Sequence, residues 1–185
     1  MYDELIDILT PKGKPTGKSA LKSEIHSKGY YHNTAHLWFY TSEGYILLQQ
    51  RAASKIIYPL LWDVSVAGHV DAGESIEQAA IRETKEEINL DISEAQLIKI
   101  GVFECFQSYP NDIIDNEFHN TFLCELKTDL KNLTPQLEEV EALKLVTLKE
   151  FETLLKHSKT NNHFVSSNSD YYKFIAKTIK TKISK

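Results

Sequence analysis

Residues 68–90, GHVDAGESIEQAAIRETKEEINL, constrain this chain more than any other stretch. From Glu74 to Ile88 there is neither glycine nor proline, and Ala, Glu, Gln and Lys dominate, which predicts a helix. Asp71-Ala72-Gly73 ahead of it predicts a tight turn. Successive helix residues turn by about 100°. Glu83, Glu86 and Glu87, spaced i, i+3 and i+4, therefore share one face. Ala80, Ile81, Thr84 and Ile88 fall roughly opposite and need an apolar surface, such as a sheet, to pack on. Three like charges on one face repel. A hard divalent cation, held by carboxylate oxygens together with substrate phosphates, relieves that repulsion. Three glutamates taken alone read more readily as a solvated acidic face. The glycine loop before them and the rest of the spacing turn the reading toward a metal site.

The flanking sequence predicts what the helix packs on. Strands are expected at residues 4–9, 35–40, 45–51, 62–67, 97–106, 117–126 and 143–147. Residues 42–44 turn the second of these into the third as a hairpin. Residues 11–17 are dense in turn formers, and residues 19–31 are mixed and cover one edge of the fold. Helices are expected at 149–157 and 171–183, with a polar loop at 160–170. Strands and helices mix without regular βαβ alternation, which predicts an α/β (α+β) fold with a mixed sheet flanked by helices. A chain of 185 residues suits one domain. Its expected parts are an N-terminal strand or hairpin at 1–31, a core at 32–157 and a C-terminal helix at 168–183.

Composition narrows the function classes. A formal net charge of −5 argues against a general nucleic-acid binder, whose affinity comes from neutralising phosphates. No apolar run approaches the roughly 20 residues that span a bilayer. The acidic start Met1-Tyr2-Asp3-Glu4 does not resemble a signal peptide, so the expected location is the cytoplasm. Cys105 and Cys124 lack the close spacing of a metal pair and read as small thiols in strands.

Gly68, five residues, Glu74, seven residues, Arg82-Glu83, two residues, then Glu86-Glu87 resembles the Nudix box. The resemblance implies a Nudix fold: a mixed sheet sandwiched between helices, with a loop-helix-loop carrying the box. It implies a hydrolase that uses Mg²⁺ or Mn²⁺ to cleave a diphosphate linkage. The substrate would be a nucleoside diphosphate derivative or a similar small phosphorylated metabolite. Glu83, Glu86 and Glu87 would be metal ligands, with a backbone carbonyl at Ala67 or Gly68. Glu83, or a carboxylate outside the box such as Glu117, would help activate water. Glu74 and Arg82 would form a structural ion pair. Two positions depart from the family pattern. Thr84 stands where an aliphatic residue is usual, and burying its hydroxyl requires a partner. Asn89 stands in place of the closing glycine, and asparagine is the next-best residue for a left-handed cap.

The likeness extends further. Tyr31-His32, Leu37-Trp38-Phe39, Gln50-Arg51-Ala52, Lys55, Tyr58-Pro59, Trp62, Val66–His69 and Asp115-Asn116-Glu117 resemble isopentenyl-diphosphate isomerases and their Nudix relatives. That brings a rival reaction, moving a double bond in a five-carbon diphosphate. The isomerases carry a cysteine acid/base where this chain has Ala67, and a methyl group transfers no proton. Their degenerate box also contrasts with the complete acidic set here, so hydrolysis is the expected reaction. A binder of a phosphorylated ligand without turnover is a third reading.

His32 and His69 correspond to metal-binding histidines of the isomerases, and His26 does so loosely. A second, imidazole-containing metal site with Glu117 is one reading. The other is that these histidines orient the loop or contact phosphate, and His69 is a candidate substrate contact. Arg51 and Lys55 are candidates for gripping phosphate. Trp38 and Trp62 read as core, with Phe106 and Tyr109 candidates for a stacking surface. His36 is expected to be packed in the sheet, and Glu138-Glu139 to be a solvated pair. The expected partner is a small diphosphate, with the chain a monomer or homodimer.

Overall fold

The computed structural model describes residues 3–109, 111–161 and 169–184. The sheet is organised around β3 (Tyr31–Tyr40), whose full length runs parallel to β8 (Ile114–Glu125), from Tyr31 opposite Asn116 to Tyr40 opposite Glu125. Its other side is shared in succession by three antiparallel neighbours. β1 (Leu5–Leu9) meets it at Tyr31, β6 (Val66–His69) at residues 34–37, and β4 (Tyr45–Arg51) at Tyr40. β2 (Pro15–Leu21) extends the sheet beyond β1, β7 (Ile98–Ser108) beyond β8, and β5 (Trp62–Asp63) and β9 (Val140–Thr147) both pair with β4. The fold is a mixed-sheet α+β arrangement.

Both faces of β3 are covered, so its residues are buried almost without alternation. Leu37 and Phe39 point to one face and join Leu47, Val66, Phe122 and the apolar side of α2 (Ile76–Ile88). Trp38 points to the other and packs with Leu48, Phe151 of α3 (Leu148–Lys156), and Tyr172, Ile175 and Ile179 of α5 (Ser169–Ile183). By strand parity His32 and His36 lie on the Trp38 face. Fully burying one such side chain contributes roughly 1.5–3 kcal/mol, so packing on both faces stabilises the strands that bear the site.

α2 begins with Ser75, which accepts from the Gln78 N–H while the Gln78 side chain accepts from Ser75 N–H, a complete capping box. It ends at Asn89, left-handed with φ 54° and ψ 40°. Its last carbonyls are satisfied from residues 134–136: Thr134 N–H donates to Ile88 O at 3.1 Å and Gln136 N–H to Glu87 O at 2.9 Å. The buried Thr84 hydroxyl donates to Ala80 O at 2.7 Å. Burial takes in Ala79, Ala80, Thr84, Glu87 and Ile88, while Ile81 stays half-buried.

Four local expectations are corrected or refined. The strand expected at 62–67 is two strands, because its halves pair with different neighbours: β5 with β4, and β6 with β3. Ser65 marks the change, its hydroxyl donating to Leu47 O and accepting from Phe39 N–H. The tight turn of the 11–17 stretch lies at residues 10–13, and Pro15 already opens β2. An edge strand tolerates Pro at its first position. Residues 19–31 include a short helix, α1 (Lys22–Lys28), closed by Gly29 at φ 63°. The expected 160–170 loop starts with a helical turn, α4 (Ser158–Asn161), while residues 162–168 lie outside the described residues.

Candidate functional site

The loop between β6 and α2 is pinned from below by β1. Ala72 N–H donates to Leu5 O at 2.8 Å, Gly73 N–H to Asp7 Oδ2 at 3.0 Å, and Ile6 bridges to Asp71. From above it is pinned by Arg82. Arg82 Nε and Nη2 clasp the Glu74 carboxylate at 3.1 and 2.9 Å, and Nη2 also reaches His69 O at 2.9 Å. The remaining nitrogen, Nη1, donates to Glu83 at 2.7 Å and Glu86 at 3.1 Å. One guanidinium thus joins the loop to the acidic helix face. A side chain added at Gly68 would collide with the Glu83 carboxylate, so a glycine there lets the β6 backbone and that carboxylate meet.

The three helix carboxylates sit in different environments. Glu86 is half-exposed, Glu83 mostly covered and Glu87 buried. Burial pushes the Glu83 carboxyl up to about 7 despite Arg82 beside it. Burial, then the charge of Glu83, pushes Glu87 to about 8, while Ala67 N–H donates to its Oε2 at 3.3 Å. Two adjacent acids that resist losing their protons form a site short of positive charge. Hard oxygen donors in that condition suit Mg²⁺ or Mn²⁺.

Cations approach the same region. Lys55 pairs with Glu139, yet burial and the charges of Arg51 and Lys22 pull its ammonium down to about 8. Glu87 feels both Lys55 and Arg51. Arg51 Nε donates to Ile57 O at 3.1 Å, holding the loop that carries Lys55.

A second concentration of ligands lies on the Trp38 face of β3. His26, His32 and His69 come together with ring centroids 5.2–5.3 Å apart, and one nitrogen from each lies within 4.8 Å of the others. The Nε2 atoms of His32 and His69 are buried and make no hydrogen bond. His26 Nδ1 meets Asp115 at 2.7 Å, His32 Nδ1 meets Tyr30 O at 2.9 Å, and His69 Nδ1 stands 3.6 Å from Glu4. Burial, then Lys22, holds His69 well below the ordinary imidazole value. Glu117, opposite His32 in the parallel register, turns Oε1 toward His32 Nε2 at 3.5 Å and Oε2 to His119 Nε2 at 2.8 Å. Burial alone would raise the Glu117 carboxyl, but the two histidines hold it well below the usual range. A second such group is His36, Glu117 and His119. The helix carboxylates are more widely spread than either group, with Glu83 and Glu86 drawn to Arg82.

Of the sequence candidates, Glu74, Arg82, Glu83, Glu86 and Glu87 meet around the β6–α2 loop with Ala67 and Gly68. The charges of Arg51 and Lys55 act on Glu87, whereas Glu117 and the side chain of His69 belong to the histidine group. Trp38 is fully buried, and Trp62 is half-buried beneath Lys144, whose Nζ lies 3.8 Å from the ring centroid. Phe106 is exposed on β7, in edge contact with Tyr31 and Phe118. Glu139 is not a merely solvated acid, since it pairs with Lys55. Sequence reasoning missed Lys22 and His119. Lys22 acts on both Lys55 and His69. Lysines 18, 22 and 28 stand among mixed polar and apolar residues there, and no pattern distinguishes one of them.

The fold is shared with solved structures, among them Nudix proteins. The structure aligns over 64% of this chain and 84% of a MutT NUDIX hydrolase of Burkholderia pseudomallei, with TM-score 0.54 and 19% identity. It aligns over 92% of this chain and 98% of a Deinococcus radiodurans protein, with TM-score 0.71 and 19% identity. A model of the NUDIX domain matches residues 30–167, and the chain belongs to the Nudix family. It is 36% identical over 160 residues to Nudix hydrolase 3 of Arabidopsis thaliana, covering 84% of this chain but only 21% of that protein. An uncharacterized Nudix hydrolase of Clostridium acetobutylicum is 36% identical over 84% of this chain and 75% of its own length. Isopentenyl-diphosphate Delta-isomerase 2 of Photorhabdus laumondii is 32% identical over 84% of each chain.

Proposed function

We propose that this chain is a divalent-metal-dependent hydrolase that cleaves a diphosphate linkage in a small phosphorylated metabolite, such as a nucleoside diphosphate derivative. The observation that carries the reading is the mostly covered Glu83 against Gly68 and the buried Glu87 against Ala67 N–H, with Arg82 clamping the loop. Glu83, Glu86 and Glu87 are the ligands, with the backbone carbonyl of Ala67 or Gly68. Mg²⁺ or Mn²⁺ held there would neutralise the diphosphate, polarise it for attack and activate water. Arg51 and Lys55 grip the phosphates. Lys55, with an ammonium near 8, is a weakly held proton in the approach to Glu87. Arg82 keeps the loop backbone in register with the carboxylates.

His26, His32 and His69, with Glu117, form the second, imidazole-rich metal site. The buried Nε2 atoms of His32 and His69 support it: neither makes a hydrogen bond, and His32 Nε2 has only the 3.5 Å approach of Glu117. Imidazole with one carboxylate suits Zn²⁺, Mn²⁺ or Co²⁺. His69 serves the substrate through this site, and Glu117 is its carboxylate.

The same histidine group favours a second reading, an isomerase-like reaction on a five-carbon diphosphate. Ala67 weighs against it, because its methyl group cannot carry a proton at the position where those enzymes use a cysteine.

A phosphorus NMR time course with Mg²⁺ tests these readings. The panel holds nucleoside di- and triphosphates, nucleotide sugars, dinucleoside polyphosphates, a coenzyme A ester and isopentenyl diphosphate, with Glu86→Gln as control. Cleavage of one class, lost in the control, supports the hydrolase and names its substrate. No cleavage, with new proton signals from isopentenyl diphosphate, overturns it in favour of the isomerase.

A further inference from the structure

We propose that His119 is a positioning residue that aims Glu117 at the His26, His32 and His69 group, and that Tyr171 of α5 steadies it through the ring of His36. This rests on the histidine metal site proposed above. Glu117 and His119 stand two apart on β8, so both side chains leave the same face of the strand. The Glu117 oxygens divide their contacts. Oε1 faces His32 Nε2 at 3.5 Å, and His32 Nε2 makes no hydrogen bond, while Oε2 is bonded to His119 Nε2 at 2.8 Å. A carboxylate held at neither oxygen would rotate, and the tether at Oε2 fixes where Oε1 points.

His119 is itself held. It is buried, and its ring stacks on His36 with centroids 3.9 Å apart and planes 22° from parallel. His36 Nδ1 lies 3.1 Å from the Tyr171 hydroxyl. That hydroxyl also accepts from Trp38 Nε1 at 2.9 Å and lies 3.3 Å from Thr121 Oγ1. A continuous line of polar side chains therefore runs from the C-terminal helix to the carboxylate. Partners that orient a metal's ligands from behind are commonly worth about 10–100-fold in metal affinity.

The test is a cobalt(II) titration of the full, metal-free chain, following visible absorption bands, with His69→Ala defining the signal from this group. We expect His119→Leu to weaken cobalt binding about 10–100-fold and to shift the bands. His119→Gln, which keeps an N–H for Glu117, restores most of the affinity. Tyr171→Phe gives a smaller loss in the same direction. Thermal melts of each metal-free variant check folding, and if His119→Leu is unfolded the outcome is read from Tyr171→Phe. Wild-type affinity and bands in the folded His119→Leu and Tyr171→Phe proteins would overturn the proposal and leave the histidine site standing. Absence of any His69-dependent band in the wild type would overturn the site, and the proposal with it.

Discussion

Replacing Glu87 by glutamine should make the metal-free protein more stable while removing its response to Mg²⁺. Glu87 is 4% exposed, and its carboxyl rises from 4.5 to about 8 on folding, first through burial and then through Glu83. Below pH 4.5 the group is protonated in both states and costs nothing. Between pH 4.5 and about 8 the unfolded chain ionises it while the folded chain retains the proton, so stability falls as pH rises. Above about 8 the loss is complete. The gap of about 3.5 in pKa, at about 1.4 kcal/mol per unit, sets a ceiling of about 5 kcal/mol. Relaxation and water entry leave about 2 kcal/mol as the conservative figure, and a chain of this size gains about 2–4 °C per kcal/mol. Glutamine keeps an oxygen for Ala67 N–H and carries no charge. Thermal melts in chelator should therefore converge for wild type and Glu87→Gln near pH 5 and separate by about 5 °C or more at pH 9. Adding Mg²⁺ at pH 8.5 should raise the wild-type midpoint far more than that of the variant, and more than at pH 6, because binding must displace the proton. Parallel curves in chelator from pH 5 to 9, or a less stable variant at pH 9, would refute the reasoning.

Glu86→Gln removes a proposed metal ligand from a half-exposed position, so turnover should fall by about 100-fold or more with stability changed by less than about 0.5 kcal/mol. A mutant with normal rate and normal Mg²⁺ dependence would sink the metal assignment. In Gly68→Ala the group that must yield is the end of a flexible side chain, the Glu83 carboxylate. Its melting point should hardly move, while displacement of that carboxylate by about 1 Å lowers the rate about 100-fold; steady-state kinetics beside a melt decide. Ala67→Cys should not convert isopentenyl diphosphate, because the carboxylate set around Glu87 remains, and a measurable product in the proton spectrum would contradict this.

The parts of the fold legible in the sequence are those whose pattern is local. The α2 helix carries its own cap, its own apolar side and its own stop at Asn89, so residues 74–90 sufficed. The β5–β6 break was hidden because Trp62 to Ala67 reads as one continuous β-rich run. Only the choice of β4 or β3 as partner divides it, and that choice is tertiary. The histidine group has the same character. Its members come from a helix and two strands, and they meet because Thr34 pairs with His69 and Glu117 lies opposite His32. Family likeness pointed to His26, His32 and His69, and residue spacing alone would not have. Nothing in the sequence pattern singled out His119, or joined it to a tyrosine about fifty positions away on α5.

The two ends of Arg82 have different fates when the acidic face is loaded. Nε and Nη2 grasp Glu74 and the His69 carbonyl, neither of which belongs to the proposed ligand set. Nη1 alone leans on Glu83 and Glu86. The arginine can surrender one hand and keep the other. Arg82 itself lends the glutamates a countercharge, so the helix forms with its acidic face partly neutralised from within. A divalent cation bound there, as proposed, would leave the grip on the loop untouched, so loading and unloading need not unlatch the loop.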